Sequence, residues 1–116
     1  MIGTRCVSYI IYLTDPDEPW TSLDGGALEL YDLEEASVVL GKDGKGGASR
    51  QGVPQVSPAV NVLPKFNTML VFCVQPGRSY HAVQEVFTDN SPRLSISGWY
   101  HAATPPAGAD LASLNQ

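Results

Sequence analysis

The chain has few cysteines, few histidines and little charge. Two cysteines, Cys6 and Cys73, cannot form the disulfide framework of a small secreted domain. Both stand in apolar, strand-like runs, where reduced and buried thiols are expected. Charged residues make up 16% of the chain, 7 basic against 12 acidic, for a net charge of −5. So few basic side chains exclude the footprint of non-specific nucleic-acid binding, though not action on a basic protein. No apolar run nears the roughly 20 residues of a membrane span. Met1-Ile2-Gly3-Thr4-Arg5 leads into a strand without a signal-peptide pattern, so a soluble chain in the cytoplasm and/or nucleus is expected. No segment carries the period of an amphipathic helix, and neither an internal repeat nor a heptad is present.

What is there is a succession of short strands. At 116 residues the chain makes one domain, long enough to bury a real core. Cys6 to Leu13 is rich in β-branched and aromatic residues and stops at Thr14-Asp15-Pro16-Asp17-Glu18-Pro19. It is apolar on both faces, which predicts a central, covered strand whose sheet neighbours precede it in sequence. Asp24-Gly25-Gly26 signals a turn before a short strand over Ala27–Tyr31. Residues 40–57, with their glycines and Lys42, Lys45 and Arg50, read as a surface loop. Val60–Pro64 reads as an edge strand, Phe66–Val74 as a strong strand, and His81–Phe87 and Arg93–His101 as two more. Six strands without a helix predict an all-β sandwich or jelly roll. Residues 102–116 have little to bury and read as a disordered tail or linker.

Two of these strands carry the candidate chemistry. His81 and Arg93 lie twelve residues apart, and a hairpin of their two strands would aim both side chains at one pocket. Imidazole is the commonest metal ligand. Guanidinium is the best fork for a carboxylate. A metal and a dicarboxylate held together suggest an iron oxygenase. Ser95 follows Arg93 by two residues and so shares its face. Trp99 and Tyr9 read as core or pocket wall, and His101 as structural or exposed. Asp15, Asp17 and Asp24 sit in turns with no histidine partner.

Ile2-Gly3-Thr4-Arg5, Val7-Ser8-Tyr9-Ile10-Ile11-Tyr12-Leu13, Asp15-Pro16-Asp17, Gly25-Gly26-Ala27-Leu28 and Arg93-Leu94-Ser95-Ile96-Ser97-Gly98-Trp99-Tyr100-His101 together carry a family likeness. Over residues 1–101 the chain resembles the iron(II)- and 2-oxoglutarate-dependent dioxygenases of the prolyl-hydroxylase type. It is most similar to their cytosolic and nuclear branch, which acts on a small-subunit ribosomal protein. The resemblance implies a double-stranded β-helix, or jelly roll, and residues 1–101 as the C-terminal portion of its catalytic domain. It implies Fe(2+) held by two histidines and a carboxylate, 2-oxoglutarate and O2 converted to succinate and CO2, and ascorbate as an accessory reductant. It assigns His81 to the metal, and Arg93, Tyr12 and Ser95 to 2-oxoglutarate. The implied partner is a protein substrate whose prolyl residue is hydroxylated, without direct nucleic-acid or membrane binding.

Two departures from that pattern stand out. The His-x-Asp pair that the family places just before Ile-Gly-Thr-Arg is absent, and so is any His-x-Glu. Cys6 stands where a second basic residue is usual. The expectation is an N-terminally truncated jelly roll with little turnover by itself. The competing reading is a non-enzymatic jelly-roll module that binds a carboxylate metabolite or a protein partner. A third reading, a cupin-like metal protein using His81 and His101, lacks cupin spacing.

Overall fold

The computed structural model describes residues 4–34 and 52–105. Most of the loop expected over 40–57, and of the tail expected over 102–116, lies outside the described residues. Six strands are present among the described residues: β1 (Arg5–Tyr12), β2 (Leu28–Tyr31), β3 (Val60–Val62), β4 (Thr68–Cys73), β5 (Tyr80–Val83) and β6 (Ser95–His101). A single 3-10 turn at Ser22–Asp24 interrupts the connection from β1 to β2. Each strand falls within a residue or two of an apolar, β-branched run in the sequence, except that β5 stops at Val83 rather than Phe87. Gly25 to Ala27, just before β2 in the same sheet, takes over the hydrogen bonding there, through Gln84 N–H to the Ala27 carbonyl and Gly26 N–H to the Glu85 carbonyl.

The strands form two antiparallel three-stranded sheets, in the orders β4-β1-β6 and β3-β2-β5. Their inner faces meet in one core, in which Ile10, Tyr12 and Leu28 are buried. Leu30 and Val62 from one sheet, and Leu70 and Phe72 from the other, pack against them. Leu28 is 1% exposed, and burial of such a side chain stabilises the fold by about 1.5–3 kcal/mol. This is the expected all-β, jelly-roll arrangement.

Three expectations need correction. First, β5 and β6 do not form a hairpin, because β5 pairs with β2 and β6 pairs with β1. The connection after Val83 crosses from one sheet to the other, so His81 and Arg93 meet the interior from opposite layers. Second, β1 is central, but both of its neighbours, β4 and β6, follow it in sequence. Third, only its inner face is covered. Ser8, Ile10 and Tyr12 are buried, whereas Val7, Tyr9 and Ile11 are half-buried beside exposed Met69, Val71, Ile96 and Tyr100. The same outer face carries Cys73, opposite Val7, which leaves that thiol exposed rather than buried. Both cysteines are free, and the Cys6 thiol lies 3.3 Å from the Tyr100 carbonyl. Val60–Val62 is an edge strand, as expected.

Candidate active site

The turn before β2 builds one end of the site. Gly25 and Gly26 take φ values of 71° and 69°, in the left-handed region that side chains disfavour. Their backbone runs so close to the β5–β6 connection that a Cβ on Gly25 would meet the Glu85 carbonyl at 2.0 Å. A Cβ on Gly26 would meet Arg93 Cδ at 3.0 Å. That close approach lets Arg93 Nε donate to the Gly26 carbonyl at 2.8 Å. Trp20 Nε1 fixes the same turn from the other side by donating to the Gly25 carbonyl at 2.8 Å.

Arg93 and Tyr12 converge inside. The guanidinium carbon stands 5.5 Å from the centre of the Tyr12 ring. Arg93 Nη2 and the Tyr12 hydroxyl are both buried and lack a hydrogen-bond partner among the described residues. Burial pushes the Tyr12 phenol above its ordinary pKa, and the Arg93 charge beside it opposes that shift only in part. The hydroxyl therefore stays protonated and is a donor. Two buried donors without an acceptor are costly, at about 1–3 kcal/mol each. One carboxylate would satisfy both, since its oxygens accept several hydrogen bonds and match the guanidinium fork. Ser95 faces Tyr12 across the β1–β6 ladder, as its spacing from Arg93 predicts, and is exposed.

His81 lies towards the other end. It is opposite Leu30 on β5, and so shares the core-facing side of its sheet. Its ring meets Phe72 edge-on, with centroids 5.0 Å apart. Phe72 faces Ser8, and Ser8 faces Trp99, whereas Tyr12 faces Thr68 and Ser95. The site thus has an exposed imidazole level and a buried guanidinium level, about 13 Å apart along β1 at the usual rise per strand residue. His81 Nδ1 is 3.2 Å from the Ser79 carbonyl. A carbonyl only accepts, so Nδ1 donates, and in the neutral ring Nε2 keeps its lone pair. That tautomer can bind a metal, and a backbone acceptor is the usual device for fixing it.

A residue pair that the sequence did not announce completes the imidazole level. Arg5 stacks on Trp99 with its guanidinium carbon 3.8 Å from the ring centre, and Arg5 Nε is buried without a partner. The irregular register between Arg5 and Val7 turns Arg5 onto this face. Nothing in the sequence pattern marks that bulge. Gly25 and Gly26 were legible as a turn, but not as the seat of Arg93. His101 is exposed and hydrogen-bonded to the Thr4 hydroxyl at 2.8 Å. No group of three or more His, Cys, Asp or Glu side chains that could hold a metal ion exists among the described residues. Within the described residues, the buried donors of Arg93 and Tyr12 would suit a carboxylate, whereas iron is offered one imidazole and not a ligand set.

The sequence pattern of the 2OG-Fe(II) oxygenase superfamily matches residues 1–101. The chain belongs to that superfamily. It is 48% identical over 101 residues to prolyl 3,4-dihydroxylase OGFOD1 of Ostreococcus tauri, across 87% of this chain and 17% of the relative. It is 36% identical over 110 residues to prolyl 3-hydroxylase OGFOD1 of Xenopus laevis, across 91% of this chain and 17% of that protein. Prolyl 3-hydroxylase sudestada1 of Drosophila melanogaster is 34% identical over 109 residues, across 92% of this chain and 17% of its own length. The chain thus spans about one sixth of the length of these relatives. Ferrous iron and 2-oxoglutarate are the cofactor and cosubstrate of the superfamily.

Proposed function

We propose that this chain is the cosubstrate-holding part of a 2-oxoglutarate-dependent prolyl hydroxylase. The observation that carries the reading is the pair of buried, unpartnered donors, Arg93 Nη2 and the Tyr12 hydroxyl. Arg93 and Tyr12 hold the distal carboxylate, with Ser95 beside them, and the fork of Arg93 fixes the orientation of the diacid. His81 supplies one imidazole to iron. The other metal ligands would lie outside the described residues. When bound, 2-oxoglutarate and iron supply the oxidative chemistry that hydroxylates a protein's prolyl residue, with succinate and CO2 as co-products. Around them the chain excludes water, by packing Ile10, Leu28 and Leu30 between the two sheets.

The names of the relatives favour a prolyl residue as the target. A small-subunit ribosomal protein, basic and present in both cytoplasm and nucleus, suits this acidic chain as the substrate. The test is calorimetric titration of the 116-residue chain with 2-oxoglutarate in the presence of EDTA. Binding is expected with the parent chain and not with Arg93→Ala. Equal binding to both would sink the reading. The chain alone is expected to give little 2-oxoglutarate decarboxylation, and robust turnover by it would contradict the account of its metal ligands.

A second reading keeps the carboxylate pocket without the iron chemistry. It is favoured by the lone imidazole at the metal level. It predicts that 2-oxoglutarate binds as above, but that restoring the flanking sequence of the longer protein brings no turnover.

A further inference from the structure

We propose that the end of the jelly roll away from His81 carries a docking cleft for a basic peptide segment with apolar anchors, distinct from the cosubstrate pocket. The chain leaves β1 at its Tyr12 end and passes through Thr14 into a cleft of about 560 Å³. Leu63, Pro64, Phe66, Pro16, Pro19 and Trp20 give it its apolar lining. The volume falls within the range of ordinary ligand pockets. Phe66 is 45% exposed and offers an open aromatic face. The indole is held in place by its bond to the Gly25 carbonyl, so the wall is formed before anything binds. Aromatic and proline walls of this kind suit an extended peptide with apolar or prolyl side chains.

Pro19 and Trp20 are shared with a second depression of about 490 Å³, which is polar and includes Glu18 and Asp24. The two depressions therefore adjoin at Pro19 and Trp20. Asp15 lines the apolar half, and Lys65 is the one basic side chain in either lining. Each of the three carboxylates is engaged through one oxygen within the described residues. Asp15 Oδ1 accepts from Asp17 N–H at 2.9 Å, Asp24 Oδ2 from Thr21 N–H at 2.7 Å, and Glu18 Oε2 from the Ser91 hydroxyl. None forms an ion pair there, so one oxygen of each stays uncommitted. Three carboxylates against one ammonium give the cleft a negative field, which selects a cationic partner and repels nucleic acid. The apolar wall supplies anchors, and the charges supply direction.

The proposal does not rest on the oxygenase chemistry, and it is tested without iron or cosubstrate. The probe is a fluorescein-labelled dodecapeptide of Lys-Leu-Pro repeats, followed by fluorescence anisotropy against the 116-residue chain in EDTA. The control peptides replace every lysine by glutamate, or every leucine and proline by glycine. Saturable binding of the first peptide is expected, weakened about fivefold or more by Phe66→Ala and by Glu18→Gln, and tightened by Lys65→Glu. All three sites are exposed, and thermal melts followed by circular dichroism verify that each variant folds. Phe66→Ala and Glu18→Gln should leave 2-oxoglutarate affinity in EDTA unchanged, which separates failure here from failure at the cosubstrate pocket. Binding of the glutamate or glycine peptide as tight as that of the first, or affinity unmoved by Phe66→Ala and Glu18→Gln, would overturn the proposal.

Discussion

Arg93 is anchored by the carbonyl of Gly26, 2.8 Å from its Nε, which leaves Nη2 inside the jelly roll with nothing to bind. A side chain fixed at one nitrogen and unsatisfied at another is prepared for an acceptor that the chain itself does not supply. The ordering cost of the guanidinium is met in the free protein, so less is lost when a carboxylate arrives.

Substitutions in the glycine pair should therefore damage the pocket before they reach it. Gly26→Ala would put a Cβ 3.0 Å from Arg93 Cδ on a backbone at φ 69°. Left-handed backbone costs an alanine about 1–2 kcal/mol. The contact would also push the guanidinium off its anchor. Denaturant unfolding should show a loss of that order, and 2-oxoglutarate titration a drop of roughly tenfold. Gly25→Ala should be worse, because its Cβ would lie 2.0 Å from the Glu85 carbonyl, an atom that cannot move without the β5–β6 connection. An undamaged Gly25→Ala chain would show that the turn is not packed as described.

Tyr12→Phe should separate stability from binding. The hydroxyl is buried without a partner, so its removal relieves a desolvation cost of about 1–3 kcal/mol in the free chain. The same change removes a donor to the bound carboxylate. A raised midpoint of thermal unfolding and weaker 2-oxoglutarate binding, by roughly five- to tenfold, are the expected pair. A lower midpoint would mean that the hydroxyl already has an acceptor.

The alkaline limb of the stability curve should report the same group. Burial raises the folded pKa of Tyr12 above 10.0, so folding favours the protonated phenol. Its contribution is fully present below pH 10 and is lost as pH rises through the folded value. Tyr31 is raised too, by its hydrogen bond to the Glu29 carboxylate. Ultraviolet difference titration should find Tyr12 and Tyr31 ionising late. Tyr12→Phe and Tyr31→Phe should each remove one.

The strands were open to reading from the sequence, because local patterns encode them, whereas the roles given to Arg93, Tyr12 and Ser95 came from the family resemblance. β-branched runs marked β1 and β4, Asp24-Gly25-Gly26 marked the turn, and Arg93 and Ser95 shared a face by strand alternation. What escaped was non-local. That β5 and β6 part company depends on which sheet each joins, and two adjacent alternating runs look like a hairpin whatever they pair with. β1 seemed to need earlier neighbours because sequence order was taken as spatial order, yet β4 and β6 fold back to flank it. Cys73 was expected inside because its run is apolar on both faces, and only the register opposite Val7 shows which face is outer. The Arg5–Trp99 stack depends on a register shift that leaves no mark in residue type.

His81→Ala tests whether the two levels act independently. The imidazole touches Phe72 and the Ser79 carbonyl and has no described contact with Arg93 or Tyr12. In EDTA, 2-oxoglutarate affinity should therefore stay within about twofold of the parent chain, since sites that share no partner are nearly additive. Adding Co2+ as a redox-silent stand-in should tighten 2-oxoglutarate binding to the parent chain, because the keto acid and the imidazole would share the ion. That gain should be small with one protein ligand, and His81→Ala should abolish it. A Co2+ effect that survives the substitution would move the metal away from this imidazole. Loss of 2-oxoglutarate binding in EDTA would show instead that His81 is part of the carboxylate pocket.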